Sequence, residues 1–186
     1  MKELKKYLIT DPEYYSNNPI EFEKILTQAL TKQHIDYACF RDKISVNIEE
    51  LAQVFITTCQ KYEIKNIFIN QHIKLGKSLN FDGVHLTSLQ FERIQEVKNL
   101  GLQTVVSCHT YEEIEKATES LANMVTYSPI FETPNKSEPV GVENLKLAIQ
   151  TYDIPIIALG GIVTQEHLNL LQKVDAKIFA SIRYFI

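Results

Sequence analysis

Short apolar runs alternate with amphipathic stretches along almost the whole chain. The runs fall at 7–10, 37–40, 66–70, 83–86, 104–107, 124–127, 155–159 and 177–180, and each has the length of a strand. Between them the apolar residues recur at helical spacing. Over 20–32 they are Phe22, Ile25, Leu26, Ala29 and Leu30, and over 48–62 they are Leu51, Val54, Phe55 and Thr58. Further helices are expected at 73–78, 90–100, from Thr110 onward, at 142–151 and at 164–174.

Local punctuation agrees with this division. Pro19 opens the first helix, where a missing backbone donor costs nothing. Gly101 stops the helix at 90–100. Thr110-Tyr111-Glu112-Glu113 has the pattern of a capping box, in which hydroxyl and carboxylate satisfy free amides reciprocally.

Eight strands with seven intervening helices predict an α/β fold: one (βα)8 TIM barrel domain over 1–186 with a truncated final helix. After the eighth strand only 182–186 remain, and the chain is shorter than the roughly 250 residues usual for the fold. The wall beside strands one and eight is therefore expected to be thinly covered. Either a partner subunit, giving a homodimer, or the tail Tyr184-Phe185-Ile186 has to close it.

The 186 residues suffice for one domain with a real core, and a hydrophobic content of 45% is ordinary. A net charge of −4 argues against nucleic acid or a membrane surface as partner, since both call for a concentrated basic face. No apolar run is long enough to span a bilayer. The charged Met1-Lys2-Glu3-Leu4-Lys5-Lys6 leads into a run that reaches Thr10-Asp11-Pro12 at once, which reads as a first strand and not a signal peptide. Cys39, Cys59 and Cys108 are odd in number and lack metal-type spacing, as suits a reducing cytoplasm.

Barrels of this kind place their chemistry at the carboxyl ends of the strands. Arg41 and Lys43 follow strand two and share a side with Cys39; together they suit a phosphate or diphosphate, or else Arg41 forms a loop ion pair with Asp42. Asn70 ends strand three, where an amide can orient a polar heterocycle or close a turn. Ser107 and His109 share a face at the end of strand five, and imidazole, with an ordinary pKa near about 6.5, both takes and gives protons. Cys108 points the other way, into the core.

The loop over 128–140 is long enough for a lid, with Thr133 and Lys136 placed to close over an anion, or it is plain surface. Gly160 and Gly161 follow strand seven, and Ser181 and Arg183 follow strand eight. Loops in these two places commonly hold a phosphate on backbone amides. His34, His72 and His167 read as surface residues, and His85 as a residue of packing or of a structural hydrogen bond.

These segments occur together as Tyr-Leu-Ile-Thr-Asp at 7–11, Phe-Arg-Asp-Lys at 40–43, Ile-Asn at 69–70 and Asp-Gly-Val-His-Leu at 82–86. Ser-Cys-His-Thr follows at 107–110, then Ser-Pro-Ile-Phe-Glu-Thr with Lys136, and Ala-Leu-Gly-Gly-Ile at 158–162. In that order and spacing the chain resembles the thiamin phosphate synthase/TenI superfamily over about 7–181. The resemblance implies one of two activities. The synthase joins a pyrimidine diphosphate to a thiazole phosphate, releasing pyrophosphate with Mg²⁺. The TenI-like tautomerase aromatises a thiazole phosphate carboxylate by proton transfer.

By the resemblance, Arg41, Lys43, Asn70 and Lys136 match positions around the pyrimidine diphosphate, Gly160 and Gly161 match the thiazole-phosphate site, and His109 matches the tautomerase histidine. Three departures stand out. Gln71 and the stretch Thr87-Ser88-Leu89-Gln90 occupy places where the synthase has acidic residues that hold Mg²⁺, and Cys39 replaces a glutamine.

The expectation is therefore a cytoplasmic, TenI-like thiamin-pathway enzyme with no cofactor. Gly160, Gly161 and Ser181 hold the thiazole phosphate, His109 shuttles the proton, Arg41 and Lys43 face the carboxylate, and Lys136 closes with its loop. One rival is a synthase that draws Mg²⁺ in through diphosphate oxygens. The other is a non-catalytic barrel that binds thiamin phosphate.

Overall fold

In the computed structural model, which describes residues 3–134 and 136–186, eight parallel strands close into a barrel in chain order, with β8 hydrogen-bonded to β1. The strands are β1 (Lys5–Ile9), β2 (Tyr37–Phe40), β3 (Ile67–Asn70), β4 (Gly83–Leu86), β5 (Gln103–Cys108), β6 (Met124–Tyr127), β7 (Ile156–Leu159) and β8 (Ile178–Ser181). The helices are α1 (Pro12–Tyr15), α2 (Pro19–Lys32), α3 (Ile48–Lys61), α4 (Ile73–Ser78), α5 (Ile94–Asn99), α6 (Tyr111–Glu119), α7 (Gly141–Thr151) and α8 (Gln165–Lys173). Met1, Lys2 and Asn135, which fall in the expected N-terminal segment and in the loop at 128–140, lie outside the described residues.

Each strand is buried on both faces, which is why the runs are apolar throughout and not alternating. One face packs under the helices, through residues such as Leu8, Phe40, Ile69, Val106 and Phe179. The other fills the barrel with Tyr7, Ile9, Cys39, Phe68, Val105, Ile157 and Ala180. Residues from alternate strands share a layer in barrels of this type, so the interior is a packed core, not a pore.

Two features differ from expectation, and a third decides between the two ways of closing the wall. A four-residue helix, α1, follows β1, with Asp11 as N-cap accepting from the Glu13 amide and Pro12 in the first turn; Asp-Pro is a capping signal in its own right. The helix expected over 90–100 begins instead as a 3-10 turn at Phe91–Arg93. Here the Gln90 side chain folds back to accept from the Thr87 amide at 3.1 Å and hydroxyl at 3.2 Å. Lastly, the tail closes its own wall. A 3-10 turn at Arg183–Phe185 buries Phe185 against Phe179, with ring centroids 5.8 Å apart, and sets Tyr184 edge-on at 5.2 Å. That removes the reason for expecting a second subunit over this wall.

Candidate active site

The inward side of each strand leads to the mouth. Tyr7 and Ile9 continue to Asp11, and Cys39 to Arg41, by the two-residue period of a strand. Thr10 ties the two strand ends together, accepting from the Arg41 amide at 2.9 Å and donating to the Arg41 carbonyl at 3.3 Å. The Arg41 guanidinium donates to the Asp11 carboxylate in a part-buried ion pair. The alternative partner, Asp42, is turned away: it is buried and accepts from the Ile44 and Ser45 amides, each at 2.9 Å.

Lys43 stands on the rim. Partial burial, then the positive charges of Arg41 and Lys136, hold its ammonium below the usual lysine range. The charges of Arg41 and Lys136 are thus both felt at Lys43, with the Asp11 carboxylate opposing them. An open cleft of about 550 Å³ runs outward from them past Asp11, Glu13 and Asn17. Its two carboxylates make that outer side unsuited to phosphate. Arg41 and Lys43 line the same cleft, so an anion is favoured on their side of it, where the charge of Lys136 is also felt.

Asn70 is buried at the end of β3, where its amide donates to the His85 carbonyl at 2.9 Å and its oxygen accepts from the Gln71 side chain at 3.2 Å. His85 lies inside the barrel, with its ring nitrogens 3.2 Å from the Tyr7 hydroxyl and 3.2 Å from the Ser107 hydroxyl. The structural-hydrogen-bond reading of His85 holds. Burial, aided by Arg41, pushes its pKa down to about 4.

That depression has a sign. Above the free imidazole pKa near about 6.5, folded and unfolded chains both carry a neutral ring. Between there and about 4, the unfolded chain takes up a proton that the folded one refuses. Stability should therefore fall by about 3 kcal/mol as pH drops through this window. Urea unfolding at pH 7 and pH 4.5 should show a visibly smaller loss for His85→Gln than for the wild type; equal losses would show that His85 does not carry the effect.

His109 follows β5 and precedes α6. Thr110 accepts from the Glu113 amide at 3.2 Å, as the capping box requires, but Glu113 reaches one residue further back, to the His109 amide at 2.6 Å. The His109 Nδ1 sits 2.9 Å from the Ser128 carbonyl. The Ser128 hydroxyl lies 3.3 Å from the same nitrogen, but the carbonyl is closer and only accepts, so Nδ1 carries a hydrogen. That leaves Nε2 of this exposed residue as the nitrogen for proton transfer.

Gly160 (φ +99°) and Gly161 (φ +70°) are in the left-handed region, and the β6–α7 loop presses on both. A Cβ on Gly160 would lie 2.6 Å from the Pro129 Cα, and one on Gly161 2.6 Å from the Glu132 carbonyl. The contact is sealed by Ile130 donating to the Leu159 carbonyl and Phe131 to the Gly160 carbonyl. Phe131 also stacks on His167, centroids 4.2 Å apart. His167 is accordingly a half-buried anchor of this loop, not the plain surface residue expected.

Two expected ligand groups are otherwise engaged. The Thr133 hydroxyl donates to the Phe131 carbonyl at 2.9 Å, so it shapes its loop and has no hydrogen left for an anion. The Ser181 hydroxyl donates to the Ile162 carbonyl at 2.8 Å and accepts from the Tyr184 amide. Strand parity sets it opposite to inward Ala180, so its side chain is not offered to a phosphate at the mouth. Arg183 is exposed in the tail turn. Ser107, His109, Asn70, Arg41, Lys43 and Lys136 remain with the two glycines. Asp11 joins them; the same two-residue period that placed Arg41 would have found it.

The donor set does not fit Mg²⁺, which prefers carboxylate or phosphate oxygens. Gln71 donates its side chain to Asn70, and the Gln90 oxygen is taken by Thr87. Among the described residues no group of three or more His, Cys, Asp or Glu side chains gathers.

A family model described as thiamine monophosphate synthase matches residues 6–185. A putative thiamine-phosphate synthase 2 of Aquifex aeolicus is 30% identical over 185 residues, 97% of this chain and 96% of that protein. A thiamine-phosphate synthase of Halalkalibacterium halodurans is 28% identical over 183 residues, 95% of this chain and 83% of that protein. Among solved structures, a thiamine phosphate pyrophosphorylase from Pyrococcus furiosus superposes with a TM-score of 0.79 at 21% identity, over 96% of this chain and 85% of that one.

Proposed function

Because the chain belongs to the thiamine monophosphate synthase family, we propose that it is a transferase joining a pyrimidine diphosphate to a thiazole phosphate with release of pyrophosphate. The names of its relatives support this, and the observation that carries it is that Arg41 and Lys43 line one cleft at the strand ends, with the positive charge of Lys136 felt at Lys43. In the reaction the bond from the pyrimidine's methylene carbon to the diphosphate oxygen breaks, and the thiazole nitrogen bonds to that carbon. Negative charge grows on the leaving oxygens. Preorganised cations stabilise such charge most effectively where water is scarce. Here the work falls to the three side chains, and no step is routed through a metal ion. The amides around Gly160 and Gly161 take the thiazole phosphate, while Asn70 and Ser107 face the heterocycle.

Incubation with hydroxymethylpyrimidine diphosphate and thiazole phosphate should yield thiamin phosphate and pyrophosphate in equal amounts. Absence of both products, with ligand binding intact, would overturn this reading.

A second reading, TenI-like tautomerisation of a thiazole phosphate carboxylate, is favoured by one observation: His109 is held at Nδ1 by Ser128, leaving Nε2 for proton transfer, while Gln71 and Gln90 supply no carboxylate for Mg²⁺. In that case His109→Asn should lower tautomerase turnover by about 10²–10⁴-fold, the usual worth of a general acid–base. Calorimetric affinity for thiamin phosphate should stay nearly unchanged. A fully active variant would refute the role. A barrel that binds thiamin phosphate but turns over neither the synthase pair nor the thiazole phosphate carboxylate would be the non-catalytic alternative.

A further inference from the structure

One polar chain crosses the barrel interior, and neither reaction uses all of it. It runs from the Tyr7 hydroxyl to His85 Nδ1 at 3.2 Å, and from His85 Nε2 to the Ser107 hydroxyl at 3.2 Å. Tyr7 and His85 are buried, while Ser107 is partly open to the mouth. The β4 backbone at His85 is held in turn, its carbonyl accepting from the Asn70 side chain at 2.9 Å and the Gln71 amide at 3.1 Å.

A neutral imidazole between two hydroxyls has two possible directions. A phenol is a good donor and a poor acceptor, and an unprotonated ring nitrogen is a strong acceptor. The Cys39 thiol, also a partner of the phenol, is a much weaker acceptor than a ring nitrogen, so Tyr7 donates to Nδ1, the ring hydrogen sits on Nε2, and Nε2 donates to the Ser107 oxygen. The Ser107 hydrogen then has no acceptor on that side and turns to the mouth.

We propose that His85, locked by Tyr7 in the Nε2–H tautomer, is a positioning residue that presents Ser107 to the substrate as a hydrogen-bond donor, selecting a heterocycle with an acceptor atom at that place. The ring is stacked on Tyr7, centroids 5.9 Å apart, and its burial, then the positive charge of Arg41, keep it neutral. The inference rests on the reading of the mouth as the substrate site.

Two measurements test it on the whole protein. Nitrogen NMR of ring-labelled histidine should show His85 with its hydrogen on Nε2 and no titration between pH 5 and 8, and Tyr7→Phe should disturb that state. A hydrogen on Nδ1 overturns the proposal, whatever the reaction is. Calorimetry with thiamin phosphate gives the second arm. His85→Leu and Ser107→Ala should each weaken binding by about tenfold, as for one well-placed hydrogen bond, and the double variant should bind no worse than Ser107→Ala alone. His85→Gln, whose amide can donate from the place of Nε2, should recover nearly wild-type affinity. Additive losses, or no rescue by glutamine, would show that His85 is merely structural. If the wild type fails to bind thiamin phosphate, the functional reading falls, and the tautomer decides the inference alone.

Discussion

Arg41→Gln is expected to weaken the binding of inorganic pyrophosphate by about a hundredfold, measured by calorimetry, because truncating one member of a charge pair typically costs about 2–5 kcal/mol. Two losses act together. The diphosphate loses a planar, charged donor, and Asp11, now without the counterion it holds in the structure, repels the ligand. The pair is only part-buried, which points to the lower half of that range. Arg41→Lys should lie in between, since it keeps the charge and loses the fork. Asp11→Asn should have the opposite sign and tighten pyrophosphate binding, because it releases Arg41. Unchanged binding by Arg41→Gln would mean that the anion site lies elsewhere.

Gly161→Ala should be strongly destabilising. The left-handed backbone costs an ordinary residue about 1–2 kcal/mol, and overpacking adds about 1–3 kcal/mol. The new methyl would sit 2.6 Å from the Glu132 carbonyl and 2.7 Å from the Phe131 backbone. Gly101 supplies the control. Its φ is +72°, close to the +70° of Gly161, but nothing lies within 4 Å of a Cβ there. Gly101→Ala should therefore show the conformational cost alone. The difference between the two in urea unfolding measures how firmly the β6–α7 loop is pressed on the glycines. Equal destabilisation would mean that the loop yields and does not define the site.

The barrel was legible because parallel strands covered on both faces must be apolar along their whole length, and the helices between them must not. The parity of β2 was legible too, and it correctly joined Cys39 to Arg41. The partner of Arg41 was not, because a neighbour in the chain, Asp42, competes on paper with Asp11, which lies thirty residues away and meets Arg41 only once β1 and β2 pair. The outward turn of the Ser181 side chain was hidden for a related reason: a buried run does not reveal which of its two faces is the inside until its neighbours are known. The engagement of Thr133, the stacking of Phe131 on His167 and the folding of Phe185 onto Phe179 are tertiary contacts between segments that carry no mutual signal in the sequence. Gly160-Gly161 was read as a phosphate loop, and the structure adds a second demand on the same residues, close approach of the loop after β6.

A crystal structure with thiamin phosphate bound bears on all of this most directly. The phosphate should be found against the backbone amides that follow β7, with the pyrimidine ring beside Asn70 and Ser107 and its methylene carbon toward Arg41 and Lys43. A phosphate seated in the outer cleft by Glu13 and Asn17, or at the opposite end of the barrel, would contradict it.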